Sequence, residues 1–380
     1  MSVPLLAGVT VLDLSGVGPG ARTARMLADF GATVLRVSPP VGAGGHRLSA
    51  PYYGYGASRD WRFLGVDLKS ERGVEVIRRL AARSDIVIEG FRPGVADRLG
   101  VGYEQLSEVN GRLVYASISG FGSTGPNATR PGHDINYVSL AGNVTRDASG
   151  APIVPPLTVA DAAGGGMQAV ISILAALHSA TITGTGTWLD VSMTDGTFYL
   201  MSLPVDEHLA LGATGPSTAM LAGEFACYGF YEAADSEWLA VGAIERGFFT
   251  NLCSVLGCPE WVPLQMRREA QDEMRSAFRS AFRSRTRAEW LEAFHDMDAC
   301  VSPVNSIAAA ADDPQFADIV VPVRDSEHGE FRQVGRALAG MVQEPIVRAG
   351  EPTISAAPEV LADLFDPDER QRLVADGIVS

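Results

Sequence analysis

The chain has 380 residues, more than the roughly 250 to 300 at which a single hydrophobic core stops growing, so we expect at least two domains. Hydrophobic residues make up 46% and charged residues 20%, and no window approaches the uninterrupted apolar length that a bilayer span needs. The net charge of -15 disfavours nucleic acid and anionic lipid as partners. The N-terminus lacks the layout of a secretory signal, so we expect a cytoplasmic protein without a membrane partner.

Strand and helix patterns alternate through the first 120 residues. Residues 9–14 predict a strand, 22–30 a helix and 32–37 a second strand, which together form a βαβ unit. Such units indicate a parallel sheet. The pattern repeats, with a helix predicted over 69–84 and strands over 85–89 and 113–118. We therefore predict an α/β fold with a large, doubly wound, Rossmann-like domain.

The pattern changes in the second half of the chain. Helices are predicted over 135–141, 164–179 and 195–211, a strand over 188–193, a hairpin over 225–243, a helical cluster over 246–300, and irregular structure that packs back on the molecule after Pro303. The predicted domains are a large one over 1–188, joined by the C-terminal segment 315–380, linker helices over 189–224, and a smaller α+β domain over 225–314.

A glycine-rich turn follows the first strand, where Gly16, Gly18 and Gly20 would let the backbone approach a phosphate. The second strand carries Arg36 near its end, where a nicotinamide enzyme would place an acidic residue. An arginine suits a phosphate instead, either that of NADP or the 3'-phosphate of coenzyme A. Arg62 and Arg92 also lie beside predicted strands, so three guanidinium groups are candidates for binding an anion.

The segment 132–137, GHDINY, lies where a proline-glycine loop precedes a helix. Asp134 is predicted as the N-cap of that helix. The free N–H groups of a helix start favour a developing oxyanion, and His133 beside them is placed to exchange a proton. A histidine that only satisfies a cap or a carbonyl is the competing interpretation.

Two further carboxylates are candidates for the site. Asp161 lies between an apolar stretch and a glycine-rich helix start, where apolar surroundings raise a carboxyl pKa towards neutrality. Helix capping is the alternative role for it. Glu245 ends a predicted buried strand, where it could orient an imidazole. The four cysteines form no CxxC pair, which disfavours structural zinc, and we predict no metal site.

Together these segments resemble CoA-transferase family III and, within it, the α-methylacyl-CoA racemases. The segments that carry the resemblance are LDLSGVGPG from residue 12, ADFGATVLRV from 28, EGFRPGV from 89, GHDINY from 132, ADAAGGG from 160 and VGAIE from 241. The histidine at position 133 favours racemase, because related CoA-transferases generally lack it and use the aspartate matching Asp161 as a nucleophile.

The resemblance implies an interlocked homodimer with an acyl-CoA substrate. It further implies that His133 and Asp161 flank the substrate α-carbon and that Glu245 of the partner chain's small domain holds His133. From its position at the helix start, we expect the backbone N–H near Asp134 to receive the enolate oxygen. Neither a metal nor a redox cofactor is required for this chemistry. The residues expected to hold coenzyme A are Gly16, Arg36, Arg62 and Arg92.

Three alternatives remain at this stage. The first is CoA transfer through a mixed anhydride on Asp161, and the second is an NADP-dependent oxidoreductase that uses the glycine turn. The third is a non-catalytic CoA-binding relative. The chain departs from the racemase pattern at 223–228, GEFACY, and at Arg246, where racemases usually have proline. These departures bear on the shape of the substrate pocket.

Overall fold

The structure is a computed structural model that describes residues 3–16, 18–40, 61–147, 149–325, 329–342 and 357–380. The chain divides into two compact units. The first consists of Met1–Met201 with Asp318–Ser380, and the second of Ser202–Ala317. The boundaries between the units follow residues 201 and 317, whereas the sequence analysis predicted domain ends at residues 188 and 314.

The first unit is built on a six-stranded sheet in which every neighbouring pair of strands is parallel. The strand order β3-β2-β1-β4-β5-β6 reverses direction between β1 and β4, so the predicted doubly wound α/β fold is confirmed. The strands are β1 Thr10–Asp13, β2 Thr33–Ser38, β3 Arg62–Gly65, β4 Ile86–Glu89, β5 Val114–Ser119 and β6 Thr187–Ser192.

Both faces of this sheet carry a hydrophobic core. Successive residues of a strand point to opposite faces, so Leu12 belongs to one core and Val11 to the other. This two-sided burial explains the continuous apolar pattern that made β4 recognisable in the sequence. The helices of this unit are α1 Pro19–Asp29, α2 Glu71–Ala81, α3 Val95–Leu99, α4 Tyr103–Ser107, α5 Asp134–Leu140, α6 Gln168–Thr183 and α7 Met193–Leu200.

A π-helix, Ala160–Met167, leads directly into α6. Its glycines permit very close packing. A Cβ on Gly196 of α7 would lie 2.0 Å from the carbonyl oxygen of Gly164, and a Cβ on Gly164 would lie 2.5 Å from Thr197 Oγ1. The sequence predicted a helix only from residue 164, because a glycine run lowers helix propensity, whereas tertiary packing extends the helical segment to Ala160.

The combined helix Ala160–Thr183 is long and apolar enough to cross a membrane by length and composition, which corrects the sequence-based expectation that no such window exists. One side of it packs against the sheet through Ala169, Val170 and Ile173. A core helix of a soluble protein passes the same test, so this property is weak evidence for a membrane span. Ile171 and Ile182, in contrast, are 69% and 71% exposed in the single chain.

The second unit combines helices with a three-stranded sheet of order β7-β8-β9. The predicted hairpin is confirmed as the antiparallel pair β7 and β8. The core of the second unit is rich in aromatic side chains, and in it Tyr231 stacks on Phe282 with ring centroids 5.0 Å apart. The elements are α8 Ser202–Leu211, α9 Pro216–Leu221, β7 Tyr228–Glu232, β8 Trp238–Gly242, α10 Arg246–Leu256, α11 Gln271–Phe282, α12 Arg287–Phe294, β9 Val301–Pro303 and α13 Ile307–Ala311, with 3₁₀ turns Pro259–Leu264, Arg268–Ala270 and Pro314–Phe316.

The prediction of irregular structure after Pro303 is wrong, whereas the expected packing against the rest of the molecule is observed. A hairpin of β10 Val320–Asp325 and β11 Gly329–Val334 is followed by helices α14 Ala357–Ala362 and α15 Pro367–Ala375. These helices are short, so their apolar periodicity covers too few turns to stand out. Leu361 and Leu373 nevertheless lie in the core of the first unit.

The contact between α7 and the π-helix yields a stability prediction. Alanine usually stabilises a helix relative to glycine, but in Gly196→Ala the new methyl group would meet backbone atoms of Gly164 that cannot move aside. We expect a loss of about 1–3 kcal/mol in the free energy of unfolding, measured by denaturant titration. Gly111→Ala is the matched control, since nothing lies within 4 Å of its Cβ position. Equal stability of the two variants would contradict this packing.

Candidate active site

Asp161 is the second residue of the π-helix and is half-buried. Its backbone N–H donates a hydrogen bond of 2.9 Å to Asp134 Oδ1, which joins the start of the π-helix to the start of α5. The glycine turn before α1 lies on another side of it, because a Cβ on Gly18 would be 3.9 Å from Asp161 Oδ2. Gly18 has a φ of 87°, a conformation that favours glycine.

The charges around Asp161 act in opposite directions on its pKa. Burial raises the pKa above its ordinary value, and the neighbouring Asp134 carboxylate raises it further. Arg22 and His133 lower it. The net effect is a raised pKa, which brings the carboxyl group closer to the range in which it can both donate and accept a proton near neutral pH.

His133 immediately precedes α5 and is its N-cap, with an exposed side chain. Its backbone N–H donates to Asn136 Oδ1 at 3.0 Å. The prediction that Asp134 is the N-cap is therefore wrong, since Asp134 is the first residue of the helix. The Asp134 carboxylate is instead bonded to the Asp161 N–H, which is 27 residues away in the chain, a contact that local sequence rules do not reveal.

His133, Asp134 and Asp161 are called the cluster below, and Tyr137 extends it from the next turn of α5. Its ring is buried and meets Phe121 edge to face, with centroids 5.1 Å apart. Burial and the charges of Asp161 and Asp134 raise the pKa of its hydroxyl, and the Arg92 guanidinium lowers it. Arg92, in the loop after β4, is therefore close enough for its charge to act on Tyr137.

Arg22 is a site residue that the sequence analysis missed. It lies in the first turn of α1, donates from Nη2 to Thr158 Oγ1 at 3.1 Å, and lowers the pKa of Asp161 by its charge. The available signal was its position, because the helix after the first strand of a doubly wound sheet begins at the edge where ligands bind.

The three arginines predicted to hold coenzyme A have different surroundings. The Arg36 guanidinium donates to the buried carboxylate of Asp13 and to the carbonyl oxygen of Gly16. Arg62 is the exposed first residue of β3, and Arg92 is exposed in the loop after β4. The glycine turn thus offers Arg36 an acceptor at Gly16. Val17, between its glycines, lies outside the described residues.

Glu245 belongs to the second unit, where it is the exposed N-cap of α10. Arg246 is the first residue of that helix and is also exposed. The role predicted for Glu245, holding His133 of another chain, stays a prediction.

A separate cavity of about 400 Å³ opens at the carboxyl ends of β4, β5 and β6. Glu89, Ser117 and Asp190 line it from the three strands, and neither His133 nor Asp161 is among its lining residues. Burial raises the pKa of Glu89. Among the residues that the structure describes, no group of three or more His, Cys, Asp or Glu side chains is arranged to hold a metal ion.

The fold and the cluster define an α/β protein with a histidine and a half-buried carboxyl group near the edge where such sheets bind ligands. The sequence profile of CoA-transferase family III matches residues 6–356, and the chain belongs to this family. Membership favours acyl-CoA chemistry over the nicotinamide alternative.

Characterised relatives include both racemases and transferases. α-Methylacyl-CoA racemases of Homo sapiens and Mus musculus are each 40% identical to this chain, over 86% and 79% of its length and 82% and 77% of theirs. An acetyl-CoA:oxalate CoA-transferase of Acetobacter aceti is 31% identical over 82% of this chain and 83% of its own. A CAIB/BAIF family protein from Brucella suis has a similar structure, with a TM-score of 0.78 at 26% identity, covering 95% and 99% of the two chains.

Two substitutions should move the pKa of Asp161 in opposite directions. Arg22→Met removes a positive charge and should raise it, whereas Asp134→Asn keeps an oxygen for the Asp161 N–H, removes a negative charge and should lower it. The measurement is a ¹³C NMR titration of labelled aspartate, with Asp161→Asn to assign the signal. Arg112→Met, an exposed arginine outside the cluster, is the control. Shifts of the same sign in both variants would refute this arrangement.

Proposed function

We propose that this protein racemises 2-methylacyl-CoA thioesters by removing and returning the proton on the α-carbon. The observation that supports the proposal is the half-buried Asp161, whose pKa burial raises and the charge of His133 partly lowers. The 40% identity to two α-methylacyl-CoA racemases supports the same chemistry.

The two groups act as one base and one acid. A thioester carbonyl makes the α-proton acidic, and neutral His133 takes that proton from one face of the carbon. Protonated Asp161 then delivers a proton to the opposite face, and the reverse reaction exchanges the two roles. The raised pKa of Asp161 serves this exchange, because an ordinary carboxyl group would rarely be protonated near neutral pH.

Between removal and return of the α-proton, the enolate oxygen carries a negative charge that a hydrogen-bond donor must stabilise. The backbone N–H groups at the start of α5, at Asp134, supply one in this scheme, since the first N–H groups of a helix have no partner within it. The scheme moves only protons, so it calls for neither a metal nor a redox cofactor.

Coenzyme A carries several phosphate charges, and the net charge of the protein is negative. Local arginines must therefore attract the substrate. Arg92 is the leading candidate, because its guanidinium lies near Tyr137 and is exposed to solvent. Arg62, Arg36 and the turn at Gly16 complete the proposed coenzyme A site.

We further propose that the active protein is an interlocked homodimer in which Glu245 of one chain orients His133 of the other. The first unit supports this proposal because three of its helices expose large apolar side chains, and groups of exposed apolar side chains often mark an interface with another chain. The exposed apolar residues of α5, α6 and α7 are Ile135, Leu140, Ile171, Ile182, Phe198, Tyr199 and Leu200.

Deuterium exchange tests the chemistry directly. Incubation with a 2-methylacyl-CoA in heavy water should introduce deuterium at the α-carbon, detected by mass spectrometry. His133→Ala and Asp161→Asn should each slow this exchange by roughly 10²- to 10⁴-fold, the usual contribution of a general acid or base. His295→Ala, at an exposed position directly after α12, should leave the rate unchanged.

A transferase would give a different result. If Asp161 attacked the thioester, hydroxylamine added during turnover would convert it to a hydroxamate, and α-deuteration would be absent. That pair of results would replace the racemase proposal by CoA transfer, the activity named for the Acetobacter aceti relative.

The dimer is tested by charge substitution on its proposed interface. Ile171→Glu combined with Tyr199→Glu should raise the dissociation constant of the dimer at least about 100-fold, because burying unpaired charges costs several kcal/mol. Light scattering after size-exclusion chromatography measures the mass. Val374→Glu, at a 54% exposed position on α15, is the control. A dimer unaffected by the double substitution would place the interface elsewhere.

A further inference from the structure

A short segment connects β8 to α10 in the second unit, and its last residue is Glu245. The strand pairing of β8 ends at Gly242, whose N–H donates to the Cys300 carbonyl oxygen at 2.9 Å. Beyond this point the chain leaves the sheet, so the carbonyl groups of Ala243 and Ile244 have no partner strand. Ala243 is completely buried, and its carbonyl oxygen therefore needs a donor from elsewhere in the unit.

One buried side chain bonds both of these carbonyl groups. Gln265 follows the 3₁₀ turn Pro259–Leu264, and only 6% of it is exposed. Its Nε2 donates to the Ile244 carbonyl oxygen at 2.7 Å and to the Ala243 carbonyl oxygen at 3.2 Å. Because these acceptors belong to the two residues directly before Glu245, the bonds fix the peptide groups from which Glu245 leaves the core.

Gln265 is itself held by a second buried amide, that of Gln271, the first residue of α11. Gln271 Nε2 donates at 2.9 Å to the backbone carbonyl oxygens of Gln265 and Arg267. Gln271 Oε1 accepts from the Ala226 N–H at 2.8 Å. Displacing either amide would leave buried carbonyl groups without donors, which is unfavourable. The position of Gln265 is therefore set by the fold of the second unit.

The Glu245 carboxylate, in contrast, has no bond that sets its direction. Glu245 is exposed, and although it is the N-cap of α10, its side chain accepts no hydrogen bond from the first N–H groups of that helix. Within residues 202–317, all of which the structure describes, the carboxylate forms no ion pair. Its backbone is fixed, since the Glu245 carbonyl oxygen accepts from the N–H of the buried Phe249 at 2.9 Å. The backbone therefore determines where the carboxylate stands.

We propose that Gln265 is a positioning residue for Glu245, which acts by fixing the peptide groups of Ala243 and Ile244 that carry it. This inference rests on the proposed role of Glu245 in orienting His133 of the other chain. A carboxylate on a fixed backbone loses less conformational freedom when it bonds an imidazole. Without the bonds from Gln265 the carboxylate would sample more positions, and the imidazole would be held less often in the orientation that proton exchange requires.

Gln265→Met tests the proposal, because methionine occupies a similar volume but has no donor. The kcat for α-deuteration of a 2-methylacyl-CoA should fall at least about tenfold, since small misplacements caused by distant substitutions cost this much or more. KM should change little. Tyr231→Phe is the matched control, because it also removes a buried hydrogen bond to a carbonyl group, that of Ala226, and leaves the bonds from Gln265 in place. Its kcat should stay unchanged.

A double-mutant cycle separates positioning from general support of the fold. Glu245→Gln removes the charge that would hold the imidazole. In that background Gln265→Met should lower kcat by less than about twofold, because a residue that acts through Glu245 has nothing left to position. If Gln265→Met does not fold, Gln265→Asn carries the test, since it keeps a buried amide on a side chain that is one methylene shorter.

Amide hydrogen exchange reports on the same segment without any turnover. In Gln265→Met, peptides that span residues 242–249 should exchange at least about tenfold faster than in the wild type, measured by mass spectrometry, because local opening becomes easier where bonds are lost. Peptides from α12 should change no more than they do in Tyr231→Phe. This comparison separates a local effect from a general loss of stability.

Two results would overturn the inference. One is a fall in kcat that is as large in the Glu245→Gln background as in the wild type, which would make Gln265 a support of the fold only. The other is a folded Gln265→Met variant with unchanged kcat or unchanged exchange over residues 242–249. If the wild-type protein exchanges no α-proton, the proposed function fails, whereas faster amide exchange in the variant still shows that Gln265 fixes the segment before Glu245, so the two failures are distinguishable.

Discussion

The backbone N–H of Asp161 donates a hydrogen bond to the Asp134 carboxylate, and this bond joins the start of the π-helix to the start of α5. Burial of Asp161 and the negative charge of Asp134 both disfavour the ionised form of the Asp161 carboxyl group and raise its pKa. Arg22 and His133 offset part of the repulsion without removing it. The proposed chemistry depends on this balance, because a raised pKa favours the protonated form of Asp161 that the acid role requires.

The balance requires three segments that are far apart in the sequence to meet without gaps. α1, α5 and the π-helix approach each other where side chains are small, and Gly120 and Gly132 likewise make room for the ring of Tyr137. A Cβ at either position would lie within 2.7 Å of that ring. The glycines are therefore requirements of packing around the cluster, in addition to any role in approaching a ligand.

Much of the sheet was predictable because its strands are buried on both faces and separated by clear turns, as β1 and β4 illustrate. The paired roles of His133 and Asp161 came from a family resemblance and stay a prediction, although the charge of His133 does act on the pKa of Asp161. The contacts around these residues were not predictable from the sequence. The hydrogen-bond partner of the Asp134 carboxylate is 27 residues away in the chain, and that of the Arg36 guanidinium lies on another strand. The helices after residue 356 were missed although Asp366 and Pro367 form an ordinary helix start, since their apolar positions acquire meaning only against the sheet.

The π-helix bears on how many residues the chain needs between Asp161 and α6. Its wider hydrogen-bonding pattern accommodates an extra residue relative to an α-helix. One residue fewer between Asp161 and α6 would make the segment an ordinary helix and change the direction of the Asp161 side chain by about 100° relative to α6. The direction in which the Asp161 side chain points therefore depends on the number of residues between it and α6.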